Sequence, residues 1–358
     1  MQGEYKLGQA EHLRIFKNRI LPEFLGPTTA QDEPVAIITG GQPGAGKARL
    51  VALAYRELEA RGGAVVVDAD MLRAHHPEYA RLVHSGNLNA ANLTHADAGE
   101  WAVRLRASAI EGRRNIIIDQ TSRDPAAFEA ICQELRKGGV TRIELRAMAV
   151  PPAVSRLRIF ARYESQLEHG GGRFSTRGNH DAAYEGLAKT IGLVAAKGLV
   201  DGIKLYNADH VEIHSNERLE GKWASPASPA AALQLERTRP ITSSERTGYI
   251  ASLFDVLDRA MQRRAGARYM DDVRGLAKEL GEDLPLGQPG EIYRGRIVHV
   301  GEMEIIQRTE QGLVEHKKLL VRDAEKVQVG LDASIEYDGA GRGVAKLQER
   351  GHEAGRRR

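Results

Sequence analysis

The sequence predicts an α/β protein: a parallel sheet covered by helices on both faces, followed by a small mostly-β domain. Three observations carry this. From about residue 33 to 214, short β-branched runs alternate with helical stretches, as in a sheet buried on both faces. At the first strand–helix junction stands Gly41-Gln42-Pro43-Gly44-Ala45-Gly46-Lys47, with the spacing of a phosphate-binding loop. Beyond Pro285–Gly290 the chain turns to short strand-like runs separated by tight turns. The first part is therefore expected to be a P-loop sheet of the nucleotide-hydrolase or kinase type.

The expected strands are Val35–Thr39, Ala64–Val67, Asn115–Ile118, Thr141–Val150 and Gly202–Tyr206. Between them the helices are Lys47–Arg61, Asp97–Glu111, Pro125–Gly138, Pro152–Glu168 and Asp181–Lys197. This organisation makes residues 1–216 one P-loop domain. The Pro- and Ala-rich run from Trp223 to Ala232 marks 217–242 as a linker. A charged helical connector (243–284, with its helix over Ser243–Leu280) leads into a β-rich domain at 285–350. Its strands are expected at Ile292–Gly301, Met303–Thr309, Gly312–Leu320, Ser334–Asp338 and Gly343–Leu347. The tail 351–358, closing on Arg356-Arg357-Arg358, is expected to fray.

Composition excludes several classes. The 358 residues suffice for two domains, and 42% hydrophobic residues suffice for packed cores. A net charge of +3 from 51 basic and 48 acidic residues is near balance, so it does not mark a nucleic-acid protein. Nucleic acid is left only to the C-terminal module. No apolar run is long enough to span a bilayer, and Met1-Gln2-Gly3-Glu4-Tyr5-Lys6 lacks a leader's basic start. The single Cys132 forbids an intrachain disulfide and lies within a predicted helix, where a buried packing role is expected. These features predict a soluble, cytoplasmic protein without a membrane partner. His299 and His316 read as surface residues rather than metal ligands, since no second ligand pair stands at fixed spacing.

The loop carries the chemistry. Its glycines let backbone N–H groups turn around a phosphate without a Cβ in the way, and Lys47 adds a cation. The helix that follows, opening Lys47-Ala48-Arg49, aims its positive end at the same place. Residue 48 departs from the motif: Ala48 stands where Ser or Thr supplies a hydroxyl to Mg²⁺. Phosphate cradling is backbone work and survives; the usual metal ligation lacks its hydroxyl. The competing reading is a glycine-rich turn with no ligand.

The other strand ends supply carboxylates and cations. After the second strand come Asp68 and Asp70, which suit proton abstraction from an acceptor hydroxyl or metal binding, or else a capped, solvated turn. After the third strand Asp119 is placed to direct a metal, or to be an ordinary turn residue before the helix start at Asp124-Pro125. Arg158 and Arg162, one helical turn apart, and Arg173 in a glycine-rich loop can neutralise a transferring phosphoryl group.

Taken together these segments resemble the zeta toxin family, the kinase halves of bacterial toxin–antitoxin modules. The matching pieces run in order: Gly40–Lys47; Val67-Asp68-Ala69-Asp70-Met71-Leu72-Arg73 with His76-Pro77 and Tyr79; Ile118–Arg123; Ala149-Val150-Pro151; Arg162-Tyr163-Glu164; Arg173; His180-Asp181; and Leu205-Tyr206-Asn207. The resemblance covers roughly residues 14 to 215. It implies transfer of the ATP γ-phosphate, with Mg²⁺, to the 3′-hydroxyl of UDP-N-acetylglucosamine or a related UDP-amino sugar, which starves peptidoglycan synthesis. It also implies a small helical epsilon-type antitoxin as partner.

Carried over by position, the resemblance makes Asp70, Lys47, Arg162 and Arg173 catalytic and residues 41–49 the ATP site. Arg73, His76, Glu100, Asp119, Thr121 and Arg123 would line the substrate side, with Asp119 the candidate Mg²⁺ ligand. Three departures stand out: Ala48; Asp119 where relatives usually have Glu; and Val103 at the place of a substrate-contacting glutamate, leaving Glu100 as its neighbour. The C-terminal module, through Tyr293–Ile297, His316-Lys317-Lys318 and Ile335–Gly339, resembles the KfrB-like domain of plasmid proteins. Two other readings remain: a P-loop kinase with another acceptor, and a weakly active plasmid-associated binding protein.

Overall fold

In the computed structural model, residues 5–85, 90–168 and 174–347 are described. The chain divides into two compact units, Met1–Pro240 and Ile241–Arg358.

The first unit is built on a seven-stranded sheet. Its strands are β1 (Val35–Gly40), β2 (Val65–Val67), β3 (Ile116–Ile118), β4 (Arg142–Met148), β5 (Gly202–Tyr206), β6 (Glu212–Leu219) and β7 (Lys222–Trp223). The order is β2-β3-β1-β4-β5-β6-β7; the first five strands are parallel, and β6 and β7 run antiparallel at the edge. Every residue of β1 is buried, which is why its sequence reads as a continuous apolar run rather than an alternation. Since β1 lies between β3 and β4, the chain leaves it at the point where strand order reverses, the place where such sheets bind ligands.

The helices of this unit are α1 (Gln9–Ile15), α2 (Leu21–Phe24), α3 (Lys47–Glu59), α4 (Ala69–Leu72), α5 (Tyr79–His84), α6 (Ala90–Leu93), α7 (His95–Glu111), α8 (Pro125–Lys137), α9 (Pro152–Leu167), α10 (Arg177–Lys197) and α11 (Pro229–Thr238). One core holds Ile116, Ile118, Trp101, Leu105, Phe128, Leu145, Leu187 and Ile203, all nearly inaccessible to solvent. Cys132 belongs to it, and burial pushes its thiol up to about 12, so it is an inert packing residue at neutral pH.

The linker expected at 217–242 is not one. Residues 212–223 form the β6–β7 hairpin, and α11 follows with Ser228 as its N-cap and Pro229 at its first turn. Leu233 on α11 is fully buried in the main core. Burying a leucine contributes about 2 kcal/mol, enough to settle a ten-residue helix that would be marginal alone. Small residues and prolines here serve a helix start and a close-packed face.

The second unit pairs two helices with a six-stranded sheet. The predicted helix over Ser243–Leu280 breaks into α12 (Ser243–Gln262) and α13 (Ala267–Glu279), with Arg264 in a left-handed conformation at the break. Thr242 and Glu245 form a reciprocal capping box at the start of α12. The strands are β8 (Ile292–Val300), β9 (Glu304–Thr309), β10 (Gly312–Lys317), β11 (Val321–Arg322), β12 (Asp332–Tyr337) and β13 (Gly343–Leu347), in the order β10-β9-β8-β12-β13-β11.

His316, expected at the surface, is fully buried. Its ring lies 3.1 Å from both the Tyr337 hydroxyl and Gln307 Oε1, and burial pushes its pKa down to about 4. A neutral imidazole that accepts from Tyr337 and donates to Gln307 satisfies the site. His299 is largely covered and sits 3.5 Å from the buried Glu304.

Candidate active site

The loop after β1 needs its glycines. Gly41, Gly44 and Gly46 all have φ between 78° and 151°. A Cβ on Gly44 would lie 2.0 Å from the Ser155 carbonyl oxygen on α9. The loop is therefore pressed against α9, and any larger residue would push it away. Arg49 N donates to Gly46 O at 3.2 Å as α3 begins. Lys47 Nζ donates to Gly41 O at 3.0 Å, holding the ammonium over the loop. Pro43 and Ala45 complete the turn, and Ala45 N donates to Gln42 O at 3.1 Å. Ala48 and Arg49 are exposed at the first turn of α3, with no hydroxyl at position 48.

The end of β3 is tied to this loop. Gly41 N donates to Thr121 O at 3.2 Å, so Thr121 acts on the loop through its carbonyl. Thr39, the buried penultimate residue of β1, donates from Oγ1 to Asp119 Oδ1 at 2.6 Å. The other Asp119 oxygen has no hydrogen-bond partner among the described residues. That orientation fits a magnesium ion: one oxygen fixed by the scaffold, one left to a ligand. Arg123 is exposed and its guanidinium makes no hydrogen bond or ion pair among the described residues.

Beyond β2, Asp68 caps α4 by accepting from Asp70 N at 2.7 Å, which resolves one of its alternative roles. Asp70 remains half exposed and accepts from Arg73 Nη1 at 2.6 Å. Arg73 itself is buried, and desolvation lowers its pKa against opposing contributions from Tyr79 and Asp68. It positions Asp70 and has no exposed surface for a substrate.

His76 also proves internal. Its ring lies 3.3 Å from the Asp97 carboxylate and 3.1 Å from Tyr5 O, with His76 and Asp97 both shut off from solvent. Leu7 N donates to Asp97 Oδ2 at 3.2 Å, so this pair pins the N-terminal segment onto α7. His76 is a structural residue, contrary to its expected place in the substrate wall. Glu100 is half exposed, with Lys6 Nζ at 3.2 Å and His12 Nε2 at 3.9 Å.

On α9, Arg158 donates to Ala208 O at 3.0 Å and is committed to the backbone. Arg162 is exposed and makes no hydrogen bond or ion pair among the described residues. Desolvation by its surroundings lowers its pKa. Arg173 lies outside the described residues.

His95, the first residue of α7, is not among the expected site residues. It is exposed, and desolvation, then the charges of Arg73 and Arg123, lower its pKa. No signal marked it, because the helix was expected to begin at Asp97.

A parallel sheet with an amide loop at its switch point, a lysine, a scaffold-held carboxylate and an arginine that makes no hydrogen bond or ion pair among the described residues is the make-up of a P-loop kinase. Residues 23–218 match the zeta toxin family, and residues 292–347 match the KfrB domain. This chain thus belongs to the zeta toxin family, the toxin-type kinases of toxin–antitoxin systems.

It is 27% identical over 237 residues to toxin zeta of Enterococcus hirae, covering 64% of this chain and 80% of the relative. To toxin PezT of Streptococcus pneumoniae serotype 4 it is 25% identical, covering 52% and 73%. A solved structure from the PezAT chromosomal toxin–antitoxin system of Streptococcus pneumoniae shares the fold, with a TM-score of 0.60 at 21% identity, covering 71% of this chain and 98% of that one. Among the described residues no helix is long and apolar enough to cross a membrane.

Proposed function

We propose that this chain transfers the γ-phosphoryl group of ATP to a hydroxyl of a UDP-activated N-acetylhexosamine. UDP-N-acetylglucosamine and its 3′-hydroxyl are the first candidates, and a small helical antitoxin restrains the activity. The observation that carries this reading is the shared placement, at the carboxyl ends of β1, β2 and β3, of the amide loop, Asp70 and Asp119.

In this reading Asp70 takes the proton of the acceptor hydroxyl. A bond forms between that oxygen and the γ-phosphorus, the bond to the β–γ bridging oxygen breaks, and ADP leaves. Residues 41–47, Arg162 and Arg173 neutralise charge on the moving group. Thr121 holds the loop, and Arg123, Glu100 and His95 would line the acceptor side. Asp119 would hold magnesium together with water and phosphate oxygens, since Ala48 offers none; the ion supplies charge neutralisation when bound. Loss of peptidoglycan precursors in the cytoplasm follows from the product.

The test is incubation with ATP, Mg²⁺ and each of several UDP-sugars, with products read by mass spectrometry. A phosphorylated UDP-N-acetylhexosamine that vanishes with Asp70→Asn supports the proposal. Phosphorylation of an unrelated alcohol only, or of nothing, rejects it.

A further inference from the structure

We propose that Arg237 on α11 is a positioning residue for nucleotide binding. It would fix the phosphate-binding loop from α11, which lies beyond residues 23–218, the stretch the family model matches. The inference rests on reading residues 41–47 as the nucleotide loop.

Gln42 fastens the loop through its side chain, which is fully buried. Its Nε2 donates to Val150 O at 2.9 Å and to Ser155 Oγ at 3.1 Å. Its Oε1 accepts from Arg237 Nη2 at 3.1 Å. A buried amide oxygen left without a donor is costly, so the loop's anchorage is complete only when α11 is docked.

Arg237 is built for this contact. It is 3% exposed and donates from Nη1 to Tyr184 O at 2.8 Å, while its guanidinium carbon lies 4.0 Å from the centre of the Tyr184 ring. Two acceptors in different directions and a flat aromatic face call for a planar fork, which lysine lacks. It has no carboxylate partner among the described residues, and burial pushes its pKa down to about 10. A buried, unpaired cation is an expensive way to fill space, and a leucine or methionine would pack at less cost. The charge also lies behind a loop that collects phosphate.

The chain of contacts continues across the site. Ser155 Oγ lies 2.8 Å from His180 Nε2, whose Nδ1 is 2.8 Å from Asp181 Oδ1. Arg237, Gln42, Ser155, His180 and Asp181 thus link α11, the loop, α9 and α10.

The experiment uses the full chain and needs no acceptor. ATP affinity is measured by calorimetry, and amide exchange is followed at residues 42–46, for wild type, Arg237→Met, Arg237→Lys and Leu233→Ala. Leu233→Ala, which loosens α11 packing alone, is the comparator. Arg237→Met should weaken ATP binding about tenfold and speed exchange in the loop. Arg237→Lys, the milder variant, should recover part of both. Leu233→Ala should lower Tm with ATP affinity kept. Unchanged affinity and exchange in Arg237→Met overturn the inference, as does an equal loss of affinity in Leu233→Ala. A wild-type chain that binds no ATP overturns the nucleotide-loop reading itself, and this inference with it.

Discussion

Arg73 holds Asp70: its Nη1 donates to Asp70 Oδ1 at 2.6 Å, with the guanidinium side chain 3% exposed and the carboxylate 50% exposed. A buried cation gripping one oxygen of a half-exposed carboxylate fixes where the other oxygen points. The arrangement suits a base that must meet one hydroxyl in one orientation.

Asp70→Asn should therefore cut turnover by about 10²–10⁴-fold with ATP affinity unchanged, measured by initial rates and calorimetry. Arg73→Met should lower kcat by about tenfold through misplacement of Asp70. Full activity in Asp70→Asn would remove it as the base.

Asp119 and Ala48 make opposite predictions. Asp119→Asn should lower turnover about a hundredfold and raise the Mg²⁺ concentration needed for half-maximal rate, because the Thr39-held carboxylate is lost. Ala48→Ser should change the rate only a few-fold. Magnesium titrations of both variants check this, and equal Mg²⁺ dependence of wild type and Asp119→Asn would refute it.

His76→Ala should destabilise the first unit by about 1–3 kcal/mol, since it leaves the buried Asp97 carboxylate without its histidine donor. At a temperature where the variant is folded, the KM for either substrate should stay within about twofold of wild type. A raised acceptor KM at unchanged Tm would instead put His76 in the binding surface.

In the second unit Glu304 is fully buried, and its pKa is raised to about 7, first by burial and then by Asp258 against the opposing pull of His299. A raised carboxylate pKa gives stability that is whole below the ordinary value of 4.5 and lost as pH rises towards 7. His316 acts in the other direction: with its pKa lowered from 6.5 to about 4, its contribution is lost as pH falls through that window. Glu304→Gln should thus raise Tm at pH 8 by several degrees and leave it nearly unchanged at pH 4.5, read by calorimetric scans. An equal effect at both pH values would contradict the buried-proton account.

Much of the site was legible because its signals are local. Gly41, Gly44, Gly46 and Lys47 declare a loop whose backbone conformation few other sequences adopt, and the run Val35–Thr39 declares a strand buried on both sides. Asp119 stands out in the sequence because carboxyl ends of parallel strands are where ligands sit. The readings that changed concern environment. His76 and Arg73 look like surface groups in a polar stretch, and only the packing of α7 and the N-terminal segment shows them to be interior.

The sequence by itself determined the five parallel strands with their main intervening helices, the glycine-rich spacing after the first of them and the family, since those rest on residue type and spacing along the chain. Tertiary structure decided which polar groups are spent on each other and which remain for a ligand. Arg158 and Arg162 differ in that respect, though both are arginines on one face of one helix. Arg237 met Gln42 across 195 positions of sequence, a contact that no local pattern encodes. The reason is physical: burial and hydrogen-bond partnership depend on what the folded chain brings near, and that information is not carried by neighbours in sequence.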